Sequence, residues 1–335
     1  MLTRILLILG LALDPAFVAS TVTALGATIS REYFDPKVGS EVEAALKTSL
    51  AAGRYSSATD DATLATLINR DLYGATHDKH LAVEARLDIP AQRERSAEQA
   101  DESRAETVRR ANGGVRAVQI LPGNVGYLDL STFFRPEEAR DAIAAAMHLL
   151  AHSDALIVDM RFNSGGSPAT VGLLVSYLID PPGLLLFDIV HRAPLPTDHY
   201  ATETVAPADR NVTRPVFVLT AATSFSGAEG FPFLLQERHR AEVVGETTAG
   251  AANAGRPYRV NARFSVTVPN GQIKSAVGGG NWEGTGVTPD VKAAAADALL
   301  VAHARALRGL IAREQPGPWR DSLERVLKTV ETRMR

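Results

Sequence analysis

The chain has 335 residues, 45% hydrophobic and 22% charged, with a formal net charge of −3, enough to bury the core of one large domain or two ordinary ones. No run of Lys and Arg is interleaved with aromatics, so nucleic acid is not an expected partner. The absence of cysteine removes disulfides, thiol nucleophiles and thiolate zinc sites, and leaves the redox compartment open.

The chain starts Met1-Leu-Thr-Arg4, followed by the uncharged run Ile5 to Leu13 and small residues around Ala16, Ala19 and Ser20. A basic start, a short apolar run and small residues after it match a secretory leader over residues 1–20, and the run is too short to span a bilayer. The expected location is then periplasmic or secreted, with no stable membrane insertion after cleavage. If the run is instead the buried start of a helix continuing through Val22, Leu25 and Ile29, the location is cytoplasmic. Asp14-Pro15 fits neither account comfortably.

Helical spacing marks residues 21–83. Val22, Leu25, Ile29 and Tyr33 share one face, Val42, Ala45, Leu46 and Leu50 another, and Leu64, Leu67, Ile68 and Leu72 a third, with breaks at Asp35-Pro36 and Gly53-Arg-Tyr-Ser-Ser. A turn then carries His77, Lys79 and His80 into a short strand, Leu81-Ala-Val83. The two histidines have no HExxH motif or carboxylate cluster, so no metal is expected. Residues 84–114 are charged and poor in large apolar side chains, and read as a solvated helix or a linker.

Alternating strands and helices follow. Val115–Ile120 and Val125–Leu130 flank the turn Pro122-Gly-Asn124, Ala139–Leu150 is an amphipathic helix, and Ala155–Met160 is a continuous apolar strand. That strand runs into Arg161-Phe-Asn-Ser-Gly165-Gly166, whose paired glycines let backbone amides approach a ligand. No phosphate-loop or dinucleotide fingerprint is present, and no cofactor is expected. The strand Val216–Leu219 repeats the pattern, entering a helix at Ser226. A serine at such a turn is exposed at the end of a sheet beside free helix amides, which suits a nucleophile. Ser226-Gly-Ala-Glu229 also fits a capping box, which needs no chemistry. Further on, Ala241–Gly245 is a strand, Tyr258–Val260 and Phe264–Val268 read as hairpin strands with Pro269-Asn-Gly271 as the turn that follows, and Gly278–Asp290 is a glycine-rich loop carrying Glu283. Helices over Ala293–Leu310 and Trp319–Thr332 close the chain.

In order, GATHDKHL, ILPGNVGYLDL, LIVDMRFNSGGSPATV, VFVLTAATSFSGAE, VVGETTAG and NWEGTGVTPDV resemble the tail-specific (C-terminal processing) serine peptidases. The resemblance is strongest to the branch holding the tricorn core and the interphotoreceptor retinoid-binding protein repeats. It implies an α/β, ClpP/crotonase-like β-β-α core with a small N-terminal helical domain, and hydrolysis of peptide or protein substrates through an acyl-enzyme. On that basis the catalytic domain spans 115–312, with a C-terminal helix at 313–335. The resemblance assigns Ser226 as nucleophile, His80 as general base, Glu283 as the carboxylate orienting it, and Gly227, Gly165 and Gly166 as the oxyanion-forming backbone. His77 and Lys79 stay open as alternative bases. Two features depart from the tail-specific branch: the first lysine after Ser226 is Lys274, too late for a serine–lysine pair, and residues 84–114 are too few for a PDZ-like domain. A non-catalytic carrier of apolar ligands on the same fold, and an ester hydrolase, are the alternative functions.

Overall fold

A computed structural model describes residues 12–86 and 97–334. In chain order these form helices α1 (Pro15–Glu32), α2 (Pro36–Ala51) and α3 (Asp61–Thr76), strand β1 (Ala82–Ala85), helix α4 (Ala97–Arg110), strands β2 (Val115–Leu121) and β3 (Val125–Leu130), helix α5 (Pro136–Leu149), strand β4 (Ala155–Asp159) and helix α6 (Pro168–Ser176). They continue with β5 (Leu185–His191), β6 (Asp198–Ala201), β7 (Val216–Thr220), α7 (Gly227–Gln236), β8 (Glu242–Gly245), β9 (Ala254–Arg259), β10 (Phe264–Ser275), β11 (Val291–Lys292), α8 (Ala298–Arg313) and α9 (Pro318–Arg333). The chain divides into two compact units, one of Met1–Glu94, Val190–Pro196 and Asn253–Gln272, the other of the remainder.

The first unit is built on its aspartates. Asp14 accepts the Ala16 amide, Asp35 those of Lys37 and Val38, and Asp60 that of Thr63. In α1 and α2 a proline follows at the first helical position, where its missing N–H costs nothing. Asp-Pro, which reads as a breaker, is therefore the start signal of two helices. The small residues Ala16, Ala19 and Ser20 lie within α1, while Met1 to Gly10 of the expected leader, together with Leu11, fall outside the described residues. Val22, Leu25 and Ile29 of α1 pack with Val42 and Leu46 of α2, Leu64, Ile68 and Leu72 of α3, and Phe264, Val266 and Val268 of β10.

Two local readings need correction. Helix α3 does not stop at Leu72 but runs through Gly74 to Thr76, where His77 adopts a left-handed conformation (φ 57°) and closes it. Strand β10 does not turn at Pro269-Asn-Gly271. It continues to Ser275, with β1 antiparallel on one side and β9 on the other, and absorbs the proline as an irregularity between Pro269 and Gly271, which pair with Gly255 and Ala254. Pairing with β9 through Pro269 and Gly271 overrides the local turn preference.

The second unit holds a six-stranded sheet in the order β11-β8-β7-β4-β3-β2, parallel except for the β2–β3 hairpin. Strands β3, β4 and β7 are buried along their whole length, as expected of parallel strands covered on both faces. Tyr127, Ile157, Phe217 and Leu219 pack with Ala302, Ala306 and Leu307 of α8 and Leu323 of α9. The charged stretch after β1 contains α4, where Arg109 and Arg110 pair with Glu106 and Arg104 pairs with Glu138 of α5. No described helix is long and apolar enough to cross a membrane.

Candidate active site

Strands β4 and β7 are adjacent and parallel, with Asp159 opposite Leu219, so the turns leaving them share one edge of the sheet. Loops at the carboxyl ends of parallel strands are where such sheets bind ligands. The two turns are laced together. Ser224 Oγ donates to Met160 O (2.8 Å), Thr223 Oγ1 to Arg161 O (3.0 Å), and Phe225 N–H to Asn163 O (3.4 Å). Asn163 is fully buried and braces the glycine turn, donating from Nδ2 to Leu130 O (2.9 Å) and accepting the Gly165 N–H on Oδ1 (2.8 Å). The Asp159–Arg161 ion pair anchors the base of the turn, with Tyr127 donating to Asp159 (2.7 Å).

Ser226 has φ 57° and ψ −120°, a conformation that a residue with a Cβ adopts only under constraint. The glutamate arm of the capping box is made: Ser226 N–H donates to Glu229 Oε2 at 2.8 Å. On the serine arm the Ser226 side chain lies toward the Glu229 N–H without a hydrogen bond to it. The Glu229 amide is taken by the Ser226 carbonyl (2.8 Å), and the serine side chain makes no cap hydrogen bond. The hydroxyl is therefore not spent on the helix.

The glycine turn lies against this elbow. A Cβ on Gly165 would fall 2.8 Å from Ser226 Cβ and 2.9 Å from Gly227 N. Gly166 bridges Phe133, which donates to Gly165 O (2.8 Å) and accepts from Ser167 N–H (2.7 Å). In that pairing the Gly166 N–H faces away from Phe133, and its nitrogen lies 3.4 Å from where a Cβ on Gly227 would sit. Among the described residues neither the Gly166 nor the Gly227 N–H donates a hydrogen bond. The Gly165 amide, in contrast, is already held by Asn163.

Glu229 is 0% exposed and accepts three further donors: Thr248 Oγ1 (2.6 Å), Gly250 N–H (2.6 Å) and Ala251 N–H (3.0 Å). Burial pushes its carboxyl up, and these hydrogen bonds oppose that. The loop holding Glu283 is tied to the same segment. Ala252 N–H donates to Glu283 Oε2 (2.6 Å), Trp282 Nε1–H to Ala251 O (2.9 Å), and Gly284 N–H to Gly250 O (3.0 Å).

His80 belongs to the first unit. Its amide donates to Asp78 Oδ1 (2.9 Å), and Asp78, itself buried, accepts Tyr33 Oη (3.0 Å) and Asn253 Nδ2 (2.9 Å) on Oδ2. Burial holds the His80 imidazole below the ordinary histidine value, and the charge of Asp78 offsets part of that. His77 is exposed, with Nδ1 3.0 Å from Tyr73 O and its ring stacked on Tyr73. It serves as the end of α3. Sequence reasoning passed over Asn163 and Asp78, each visible as the polar residue of N-S-G-G and D-x-H, and gave Glu229 only its capping part.

A serine forced into an elbow with an unspent hydroxyl, beside two backbone N–H groups without acceptors, is the arrangement of a serine-type hydrolase. Residues 124–293 match the model of peptidase family S41, and residues 11–112 match that of the N-terminal domain of S41 peptidases in eukaryotic IRBP. The chain belongs to peptidase family S41; it is a serine-type peptidase, and its substrates are peptides or proteins. Solved structures share the fold. A candidate peptidase from Parabacteroides merdae is 17% identical, with a TM-score of 0.56 over 83% of this chain and 90% of that one. A lipoprotein from Streptococcus agalactiae is 14% identical, with a TM-score of 0.53 over 87% and 96%. The tricorn protease is 12% identical, with a TM-score of 0.54 over 94% of this chain and 37% of that one.

A Cβ on Gly166, whose φ is 133°, would lie 2.1 Å from Phe133 O. Gly166→Ala must therefore move the turn, and inactivation by a fluorophosphonate should slow by about 10²-fold, as for loss of one oxyanion donor. A wild-type inactivation rate in the folded variant would remove this turn from the site.

Proposed function

We propose that the chain is an endopeptidase that cleaves through an acyl-enzyme formed on Ser226. In this reading the Gly166 and Gly227 N–H groups stabilise the tetrahedral oxyanion, and Gly165 shapes the turn. His80 removes the serine proton and returns it to the leaving amine, while Glu283 orients the imidazole. The observation that carries the reading is the Ser226 elbow: a strained serine whose hydroxyl is not used as a cap, beside two N–H groups with no acceptor. His80 is favoured over His77 because the His77 ring is engaged at the end of α3. The wiring of the core, a β-hairpin followed by a helix and repeated βα units, supports a crotonase-like description. Export to the periplasm or medium is proposed from Arg4, the apolar run Ile5–Leu13 and the small residues after it, with the leader over residues 1–20.

Fluorophosphonate labelling of the purified protein should place the adduct on Ser226, with labelling lost in Ser226→Ala and His80→Ala and peptide hydrolysis reduced by at least ~10³-fold in both. A well-folded wild type that takes no label would move the reading to a ligand carrier. The base must be neutral to act, and burial lowers the His80 pKa. The acid limb of kcat/KM should accordingly have its midpoint below the ordinary histidine value of about 6.5, and a midpoint above it would argue against His80. N-terminal sequencing of protein from fractionated cells should find a start near Thr21 outside the cytoplasm; an intact Met1 in the cytoplasmic fraction would sink the export proposal.

A further inference from the structure

We propose that Glu229 is a positioning residue for two partners at once: it fixes the Ser226 elbow and, through residues Thr248 to Ala252, the loop that carries Glu283. The inference rests on the roles proposed above for Ser226 and Glu283. The two carboxylate oxygens divide their work. Oε2 accepts the N–H of Ser226 and of Ala251, and Oε1 accepts the Thr248 hydroxyl and the N–H of Gly250. The next amide along, Ala252, goes to the other carboxylate, Glu283 Oε2. Three consecutive N–H groups, 250 to 252, are thus shared between the residue behind the nucleophile and the proposed orienting carboxylate.

The tie is reinforced from the other side. Trp282, 3% exposed, donates to Ala251 O, and its ring tip would meet a Cβ on Gly230 at 2.9 Å, so the ring lies on the first turn of α7 directly after Glu229. Thr248 is bonded into the same loop, since its hydroxyl accepts the Val287 N–H at 2.7 Å and its amide donates to Val287 O at 3.2 Å. No cation is paired with Glu229 among the described residues. Its two oxygens meet four donors, which only an acceptor on both sides can satisfy. A glutamine at this position fits sterically but presents an NH₂ to two N–H groups or to a hydroxyl and an N–H, whichever way it turns. The elbow and the Glu283 loop would then be released together.

Trp282 reports on the coupling. The chain has two tryptophans, and Trp319 is exposed, so a Trp319→Phe background leaves the emission of Trp282 alone. In that background Glu229→Gln should lower fluorophosphonate inactivation by about 10²-fold. It should also lower kcat for a peptide with little change in KM, and red-shift the Trp282 emission. Thr248→Val keeps the carboxylate and removes one donor, and should give a smaller loss, about fivefold, with a smaller red shift. The proposal is overturned if folded Glu229→Gln matches the parent in both readouts, or if inactivation falls while Trp282 emission stays put. If Glu229→Gln does not fold, an unchanged Thr248→Val overturns it equally. Should the parent itself take no fluorophosphonate, the peptidase assignment of Ser226 fails while the Trp282 arm still decides the coupling.

Discussion

Glu229, a carboxylate with no exposed surface and, among the described residues, no paired cation, ties the Ser226 elbow to the segment Thr248 to Ala251. Removing Glu229 from water is costly, and the cost is met because four donors from two parts of the chain converge on it. Those donors are themselves groups that would otherwise be buried without acceptors. The serine amide is the most consequential of them, because Ser226 holds a conformation that its own preferences oppose. Strain at Ser226 and satisfaction of the buried charge are two sides of one arrangement. Neither persists without the other.

The glycine turn adds the second constraint. A Cβ on Gly166 would run into Phe133, and one on Gly165 would run into the Ser226–Gly227 elbow, so neither glycine has room for a side chain. Asn163 then selects which amides remain available: it takes Gly165 and so leaves Gly166. Alternation of the backbone along an extended segment does the rest, turning the remaining N–H away from Phe133. The site is built mainly from main-chain groups whose direction is fixed by pairing elsewhere.

Much of this was legible in the sequence. Ala155–Val158 and Val216–Leu219 are continuous apolar runs, and such runs declare strands buried on both faces. The elbow followed from one of those strands meeting Ser226-Gly-Ala-Glu229. The capping reading of that tetrapeptide held for the glutamate and failed for the serine, a distinction that depends on ψ at one residue. The extra bonds of Glu229 were not legible, because their partners lie 19 to 22 positions away and no local pattern marks them, whereas Asn163 stands in N-S-G-G, two residues from the Gly165 amide that it holds. Pro269-Asn-Gly271 misled for the opposite reason: its turn chemistry is strong locally, but pairing with β9 across these residues holds β10 extended. Asp-Pro at positions 14 and 35 carried a start signal that reads equally well as a break until the caps are seen.

The first unit is assembled from three separated stretches of chain, and its core needs Phe264, Val266 and Val268 beside residues from the first three helices. A chain emerging from the ribosome therefore releases α1, α2 and α3 long before the strand that completes their packing. Domains ordinarily fold in order of synthesis, but here the N-terminal helices must wait, with their apolar faces uncovered, until most of the second unit has been made. His80 and Asp78 leave the ribosome early, but Asn253, which donates to Asp78, follows 175 positions later, so the surroundings of His80 are finished late. Order of synthesis itself thus delays completion of the N-terminal unit until most of the chain exists.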